Sequence, residues 1–323
     1  MIRSAPVQFT KELFLEAFSM AIPLFRIMVP VIVGVKVLQE IGGIEVLGKL
    51  LSPVMQLVGL PGSMGLVWAT TMATNIYTGM VAFASLSAIE PVTVAQTTVL
   101  VCLMLVGHNL PVELRIAQKA GTRLPFMFLL RTGGALIFGW ILFRIYQWGG
   151  WLQQPNVIRW MPQTADPSLF AWATAQVRQL VMIFLIIMVL LLLLKTLQRM
   201  GITTIMVRFL TPVLRLMGIG PSASTITIVG MTLGLAYGGG LIIHEVASGR
   251  IEKKDVLFSL TLMGLSHSLI EDTILVAILG GDLSGILWGR VIFSMLAVYL
   301  LVKLISRLSE RTREALFLRP ASE

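Results

Sequence analysis

Long apolar runs alternate with short basic stretches along the whole chain. A helix needs about 20 apolar residues to cross a bilayer. The runs at 17–38, 92–112, 124–146, 172–194, 255–278 and 284–305 reach that length, and each is expected to cross as a helix. Two further runs, 62–87 and 221–247, are long enough but interrupted. The first breaks at Ala73-Thr-Asn-Ile-Tyr-Thr-Gly79, the second at Gly234-Leu-Ala-Tyr-Gly-Gly-Gly240. Polar residues and glycine at mid-membrane depth point to a kinked helix or a re-entrant hairpin whose tip lines a cavity.

The distribution of Lys and Arg chooses between these. With both broken runs as hairpins and the N-terminus in the cytoplasm, 17 basic residues fall on the cytoplasmic side and 5 on the outer side. That agrees with the positive-inside rule. Crossing by both broken runs would move Arg115, Lys119 and Arg123 outside, so the hairpin reading is preferred. Residues 1–12 are polar and the first run is too long for a signal peptide's apolar region. The expected location is a bacterial cytoplasmic (inner) membrane, with both termini cytoplasmic.

The sequence matches itself without gaps when its second half is laid on its first. Leu51-Ser-Pro-Val-Met-Gln-Leu-Val-Gly59 faces Leu210-Thr-Pro-Val-Leu-Arg-Leu-Met-Gly218, His108 faces His267, Glu113 faces Asp272 and Arg131 faces Arg290. Three crossings per half is an odd number, so the halves are expected to be inverted repeats, the plan of many secondary transporters. The expected fold is therefore an all-α polytopic membrane protein. Residues 1–147 form the first repeat, 148–171 an outer interfacial linker with Trp148, Trp151 and Trp160, 172–308 the second repeat, and 309–323 a basic cytoplasmic tail. Segments 44–60 and 203–219, one before each hairpin, read as amphipathic interfacial helices.

Composition narrows the classes. Of 323 residues, 56% are hydrophobic and 13% charged, against about 25% charged in soluble proteins. The net charge of +9 resides in loops between apolar runs, which excludes a nucleic-acid partner and favours the lipid bilayer. The single cysteine, Cys102, excludes a disulfide framework and a cysteine metal cluster. Neither HExxH nor GxSxG occurs, and no enzyme is expected.

Gly59-Leu-Pro-Gly-Ser63 followed by the break at Thr74-Asn75 and Tyr77-Thr78-Gly79, and Gly218-Ile-Gly-Pro-Ser222 followed by Tyr237-Gly-Gly-Gly240, carry a resemblance. The chain resembles the Gate, or nucleoside-recognition, domain. Ferrous-iron transporters of the FeoB type, concentrative nucleoside transporters and spore-maturation membrane proteins share it. The resemblance covers roughly residues 20–145 and 180–305 and implies transport without naming a cargo. The chain departs from the iron transporters in two ways: Thr74 and Asn75 stand where their gate motif has a cysteine, and no GxxxxGK[ST] loop is present.

Two constellations could carry function. The hairpin tips offer Thr74, Asn75, Tyr77, Thr78 and Gly79, with Tyr237, Gly238, Gly239 and Gly240 opposite. The leading expectation is a secondary transporter moving a small polar solute, nucleoside-like by the resemblance, with a divalent metal ion as the alternative cargo. His108-Asn109 with Glu113, and His267-Ser268 with Glu271 and Asp272, place a carboxylate four or five residues after each histidine, near one face of a helix. Buried ionisable groups in spans face a cavity or one another. This set could bind the solute, relay protons, or hold Fe²⁺, Zn²⁺ or Mn²⁺. Alternatively, Glu113 and Asp272 would form structural ion pairs with Arg131 and Arg290. No resident cofactor is expected; a coupling ion (H⁺ or Na⁺) or a divalent metal would enter as co-substrate or cargo. A homodimer or a partner membrane protein, in a structural rather than transporting role, is the alternative of a different class.

Overall fold

A computed structural model describes residues 4–158, 168–234 and 251–319. Every named element in these residues is helical. The first half contains α1 (Ser4–Glu40), α2 (Gly43–Leu57), α3 (Met64–Ala73), α4 (Ile76–Ser87), α5 (Val94–Gly107), α6 (Leu110–Lys119) and α7 (Leu124–Gly149). The second contains α8 (Leu169–Arg199), α9 (Ile202–Leu216), α10 (Pro221–Leu233), α11 (Lys253–Leu265), α12 (Glu271–Ala277) and α13 (Arg290–Ile305). A π-helical turn, Ser284–Gly289, leads into α13, and a short surface helix, α14 (Glu310–Phe317), follows. Stretches Val94–Lys119, Leu124–Gly149, Leu169–Leu193 and Ser284–Ile305 are long and apolar enough to cross a membrane.

The element ends of the two halves keep the register in which the sequence matches itself. Helices α2 and α9 begin at Gly43 and Ile202 and end at Leu57 and Leu216. Left-handed backbone recurs at Gly42 and Gly201, Gly59 and Gly218, and Gly121 and Gly280. It recurs also at Asn109 and Ser268, which are not glycine. Non-glycine residues enter this region rarely, so the shared pair marks a shared local geometry.

Within the first broken run, α3 and α4 fold back on each other. A Cβ on Gly79 would collide with Thr71 Oγ1, so the two arms close only because Gly79 has no side chain. Helix α5 threads the centre and is buried from Thr97 to Gly107. Its start is fixed by a capping box: Thr93 Oγ1 accepts from Gln96 N–H while the Gln96 side chain accepts from Thr93 N–H. The linker is strapped to this end through Val94 N–H to Gln154 O and Ala95 N–H to Leu152 O. Asn156 Nδ2 then reaches Leu279 O in the second half. Helices α1 and α8 pack through Ala17, Ala21, Ile183 and Ile187, with Val81 of α4 in the same cluster.

Two of the six expected crossings differ from the sequence expectation. The run 92–112 breaks between Gly107 and Leu110, and the run 255–278 between Leu265 and Glu271. A polar residue in the left-handed region, rather than continuous helix, stands at mid-run in each half. The second hairpin tip falls on residues 235–250, so Tyr237, Gly238, Gly239 and Gly240 lie outside the described residues. Trp160 lies outside them as well, while Trp148 is exposed at the end of α7.

Candidate functional site

The two breaks meet in the interior. His108 closes α5 with extended backbone, and Asn109 turns the chain into α6 with φ 50°. Asn109 N–H donates to Thr71 O at the end of α3 (3.0 Å), which ties the break to the first hairpin. The second half makes a similar tie one residue further on: Ser268 has φ 46°, and Leu269 N–H donates to Met231 O of α10 (2.8 Å).

His108 and His267 face each other across this junction. Their Nε2 atoms are 3.1 Å apart, and Glu113 Oε1 lies 3.2 Å from the first and 3.4 Å from the second. All three residues are buried, at 7%, 2% and 6% exposure respectively. Each ring is oriented from behind in the same way. His108 Nδ1 lies 3.2 Å from Met104 O and 3.1 Å from Leu105 O; His267 Nδ1 lies 2.7 Å from Met263 O. A carbonyl oxygen only accepts, so each Nδ1 carries a ring proton, and an Nε2 that carries none presents a lone pair. Two lone pairs and a carboxylate at this distance repel one another unless a cation stands between them. It can be a proton on one Nε2 or a metal ion.

The sequence expectation of one helical face for each histidine and its carboxylate is corrected here. The residues converge because the helix breaks after Gly107, so that His108 points from a helix end and Glu113 from the next helix. Arg131, fully buried, makes three contacts here, one of them to Glu113. Nη1 donates to Glu113 Oε2, Nε to Val106 O (2.9 Å) and Nη2 to His108 O (2.9 Å). One guanidinium thus fastens the break and the acid together, the expected pair of Glu113 and Arg131.

The matching pair in the second half is not made. Arg290 is also fully buried, but its Nη2 donates to Thr273 Oγ1 (3.1 Å). Among the described residues, Arg290 Nε and Nη1 and Asp272 Oδ2 have no hydrogen-bond partner. Asp272 is buried and Glu271 half-buried, and neither belongs to the three-residue cluster, so of the five expected metal ligands only His108, His267 and Glu113 converge. Thr273 and the carbonyls of Met104, Met263 and Val106 are the residues that sequence reasoning missed. The equal spacing of Met104 and Met263 before the histidines was the available signal.

The first hairpin tip uses its polar groups internally. Asn75 Oδ1 accepts from Thr78 N–H (3.0 Å) and lies 3.1 Å from Thr78 Oγ1, an N-cap of α4. Thr74 Oγ1 donates to Thr70 O (2.6 Å). Thr78 is buried, and Tyr77 is half-buried against apolar neighbours, with its hydroxyl in electrostatic range of Glu271 and Asp272.

No family model matches the chain, and no solved structure does. The chain is similar to the uncharacterized membrane protein YvoD of Bacillus subtilis (strain 168), at 26% identity over 277 residues, spanning 84% of this chain and 88% of that one. That likeness and the four apolar helices of crossing length agree: the chain is a polytopic membrane protein.

Proposed function

We propose that the protein is a membrane transporter built from two inverted-topology repeats, and that its cargo is a divalent transition-metal ion held by His108, His267 and Glu113. The donor spacing carries this reading. Three ligand atoms stand 3.1, 3.2 and 3.4 Å apart. In a tetrahedral site with bonds of about 2.0–2.1 Å, neighbouring donors stand about 3.3 Å apart. Imidazole and carboxylate donors suit Zn²⁺, Fe²⁺ and Mn²⁺. Backbone carbonyls behind each Nδ1 are the usual outer support of metal-binding histidines.

The charge balance favours a carrier over a permanent structural site. Arg131 neutralises Glu113, so two neutral imidazoles and one paired acid present little net charge to the ion. Such a site binds and releases. The inverted-repeat part of the reading is supported by the common register of the two halves, by three expected crossings in each half, and by the excess of cytoplasmic basic residues. The Gate resemblance supports a transport role and names no cargo.

A second reading has one observation in its favour: 3.1 Å between two ring nitrogens is also the length of a hydrogen bond. A proton shared by His108 and His267 would then drive a small polar, nucleoside-like solute past the hairpin tips. Proteoliposome uptake separates the two. The metal reading predicts Zn²⁺ or Mn²⁺ uptake that is abolished by His108→Ala and His267→Ala and retained in Asn75→Ala. Uptake of a nucleoside, lost in Asn75→Ala, without metal uptake would overturn it.

A further inference from the structure

The two halves hold the same four residue positions in different states. In the first half the three nitrogens of the Arg131 guanidinium donate to Glu113, Val106 O and His108 O. In the second, Arg290 reaches only Thr273, and Asp272 Oδ2 and two guanidinium nitrogens of Arg290 have no partner among the described residues. Arg290 and Asp272 are both buried and within electrostatic range of each other, yet they form no ion pair. Asp272 is also within electrostatic range of His108. Burying Asp272 Oδ2 and two nitrogens of Arg290 without hydrogen-bond partners is costly, and pairing the two groups would offset part of that cost.

We infer that Asp272 is the alternate carboxylate ligand of the His108–His267 pair, and that Arg290 clamps it in the opposite state of the cycle as Arg131 clamps Glu113 here. This rests on the metal-transport reading above. Asp272 occupies the position of Glu113 when the second half is laid on the first, and Arg290 that of Arg131. In the second-half clamp, Arg290 would take Asp272 together with the carbonyls of Leu265 and His267, the counterparts of Val106 and His108. The histidines stay with the ion throughout. One acid leaves as the other arrives, so the ion is never without a carboxylate and the two faces of the membrane see equivalent sites. Alternating access in inverted-repeat transporters is a rocking of one repeat against the other around a fixed site, and such a movement would let the second half take up the arrangement that the first gives up.

Co²⁺ binding, read from its visible absorption in detergent-purified full-length protein, tests this together with Mn²⁺ uptake into proteoliposomes. Asp272→Asn should bind Co²⁺ like wild type through Glu113, with uptake falling at least about tenfold, within the range expected for losing a supporting ligand. Glu113→Gln should still bind Co²⁺ through Asp272, and only the double variant Glu113→Gln/Asp272→Asn should lose the absorption. Asp272→Glu should restore uptake, which a purely structural role in the second half would not require. Wild-type uptake in Asp272→Asn, or loss of Co²⁺ in Glu113→Gln as complete as in the double variant when Glu113→Gln still purifies as a monodisperse protein, would overturn the exchange. If Glu113→Gln does not purify, the Asp272→Asn arm decides alone. Wild-type protein that binds no Co²⁺ would instead overturn the metal reading itself.

Discussion

The Nε2 atoms of His108 and His267 face each other at 3.1 Å, while the Nδ1 atoms of both rings are turned onto the carbonyl four residues earlier in the chain. Residues at matching positions of the two halves thereby present two lone pairs to a single point, with Glu113 Oε1 as the third corner of the triangle. On the metal-transport reading, a metal ion at that point makes the arrangement favourable.

Metal should therefore stabilise the fold through these side chains. Zn²⁺ at 100 times its Kd is expected to add about 2.7 kcal/mol to wild-type stability, read as a rise in melting temperature in detergent. His108→Ala and His267→Ala should lose the rise, and Asn75→Ala should keep it.

Arg131 is expected to be the costliest single position of the first half. Arg131→Met leaves Glu113 buried without its countercharge and two carbonyls without donors. Breaking a buried pair in this manner costs about 3–5 kcal/mol. Chemical denaturation of the purified variant in micelles measures it, and a loss under about 1 kcal/mol, the range of an exposed pair, would mean that the clamp is not structural.

Two small changes at the first hairpin have different expected outcomes. Gly79→Ala places a methyl group where Thr71 Oγ1 stands, so α3 and α4 cannot close as they do. The expected loss is about 1–3 kcal/mol, from overpacking. Asn75→Ala removes only the N-cap of α4, for about 1 kcal/mol, and leaves metal uptake in place. Thermal melting ranks the two variants.

Orientation is testable with a single reporter. Lys119 is exposed at the end of α6, and Cys102 is fully buried and will not compete for a thiol reagent. Lys119→Cys should react with a membrane-impermeant maleimide only after right-side-out cells are opened. Reaction in intact cells would contradict the hairpin topology and the inverted repeat with it.

The partners of the site are legible in the sequence, but the geometry that joins them is not. The histidines and the acid stand out because rare ionisable residues recur in one register through apolar runs. Their helical-face rationale fails at His108, where the helix ends. The signals for that end were Asn109, a residue that tolerates left-handed backbone, and Pro111, which belongs in a helix's first turn. In the second half no proline marks the break, and Ser268 still adopts the same left-handed conformation. The hairpin tip carries a second legible pattern. Asn75 and Thr78 read as ligand donors, and a polar residue three positions before a hydroxyl at a helix start is also a capping pattern, which the structure makes. Pairing of Asp272 with Arg290 was the alternative expectation, and no local pattern could have told that only one of two matching pairs is closed.

The most direct test of the central claim is X-ray absorption at the zinc edge of protein loaded with one equivalent of Zn²⁺. Two imidazole nitrogens and carboxylate oxygen are expected at about 2.0–2.2 Å, and His267→Ala is expected to lose stoichiometric zinc. Zinc that fails to bind stoichiometrically, or whose spectrum is unchanged in His108→Ala and His267→Ala, would contradict it.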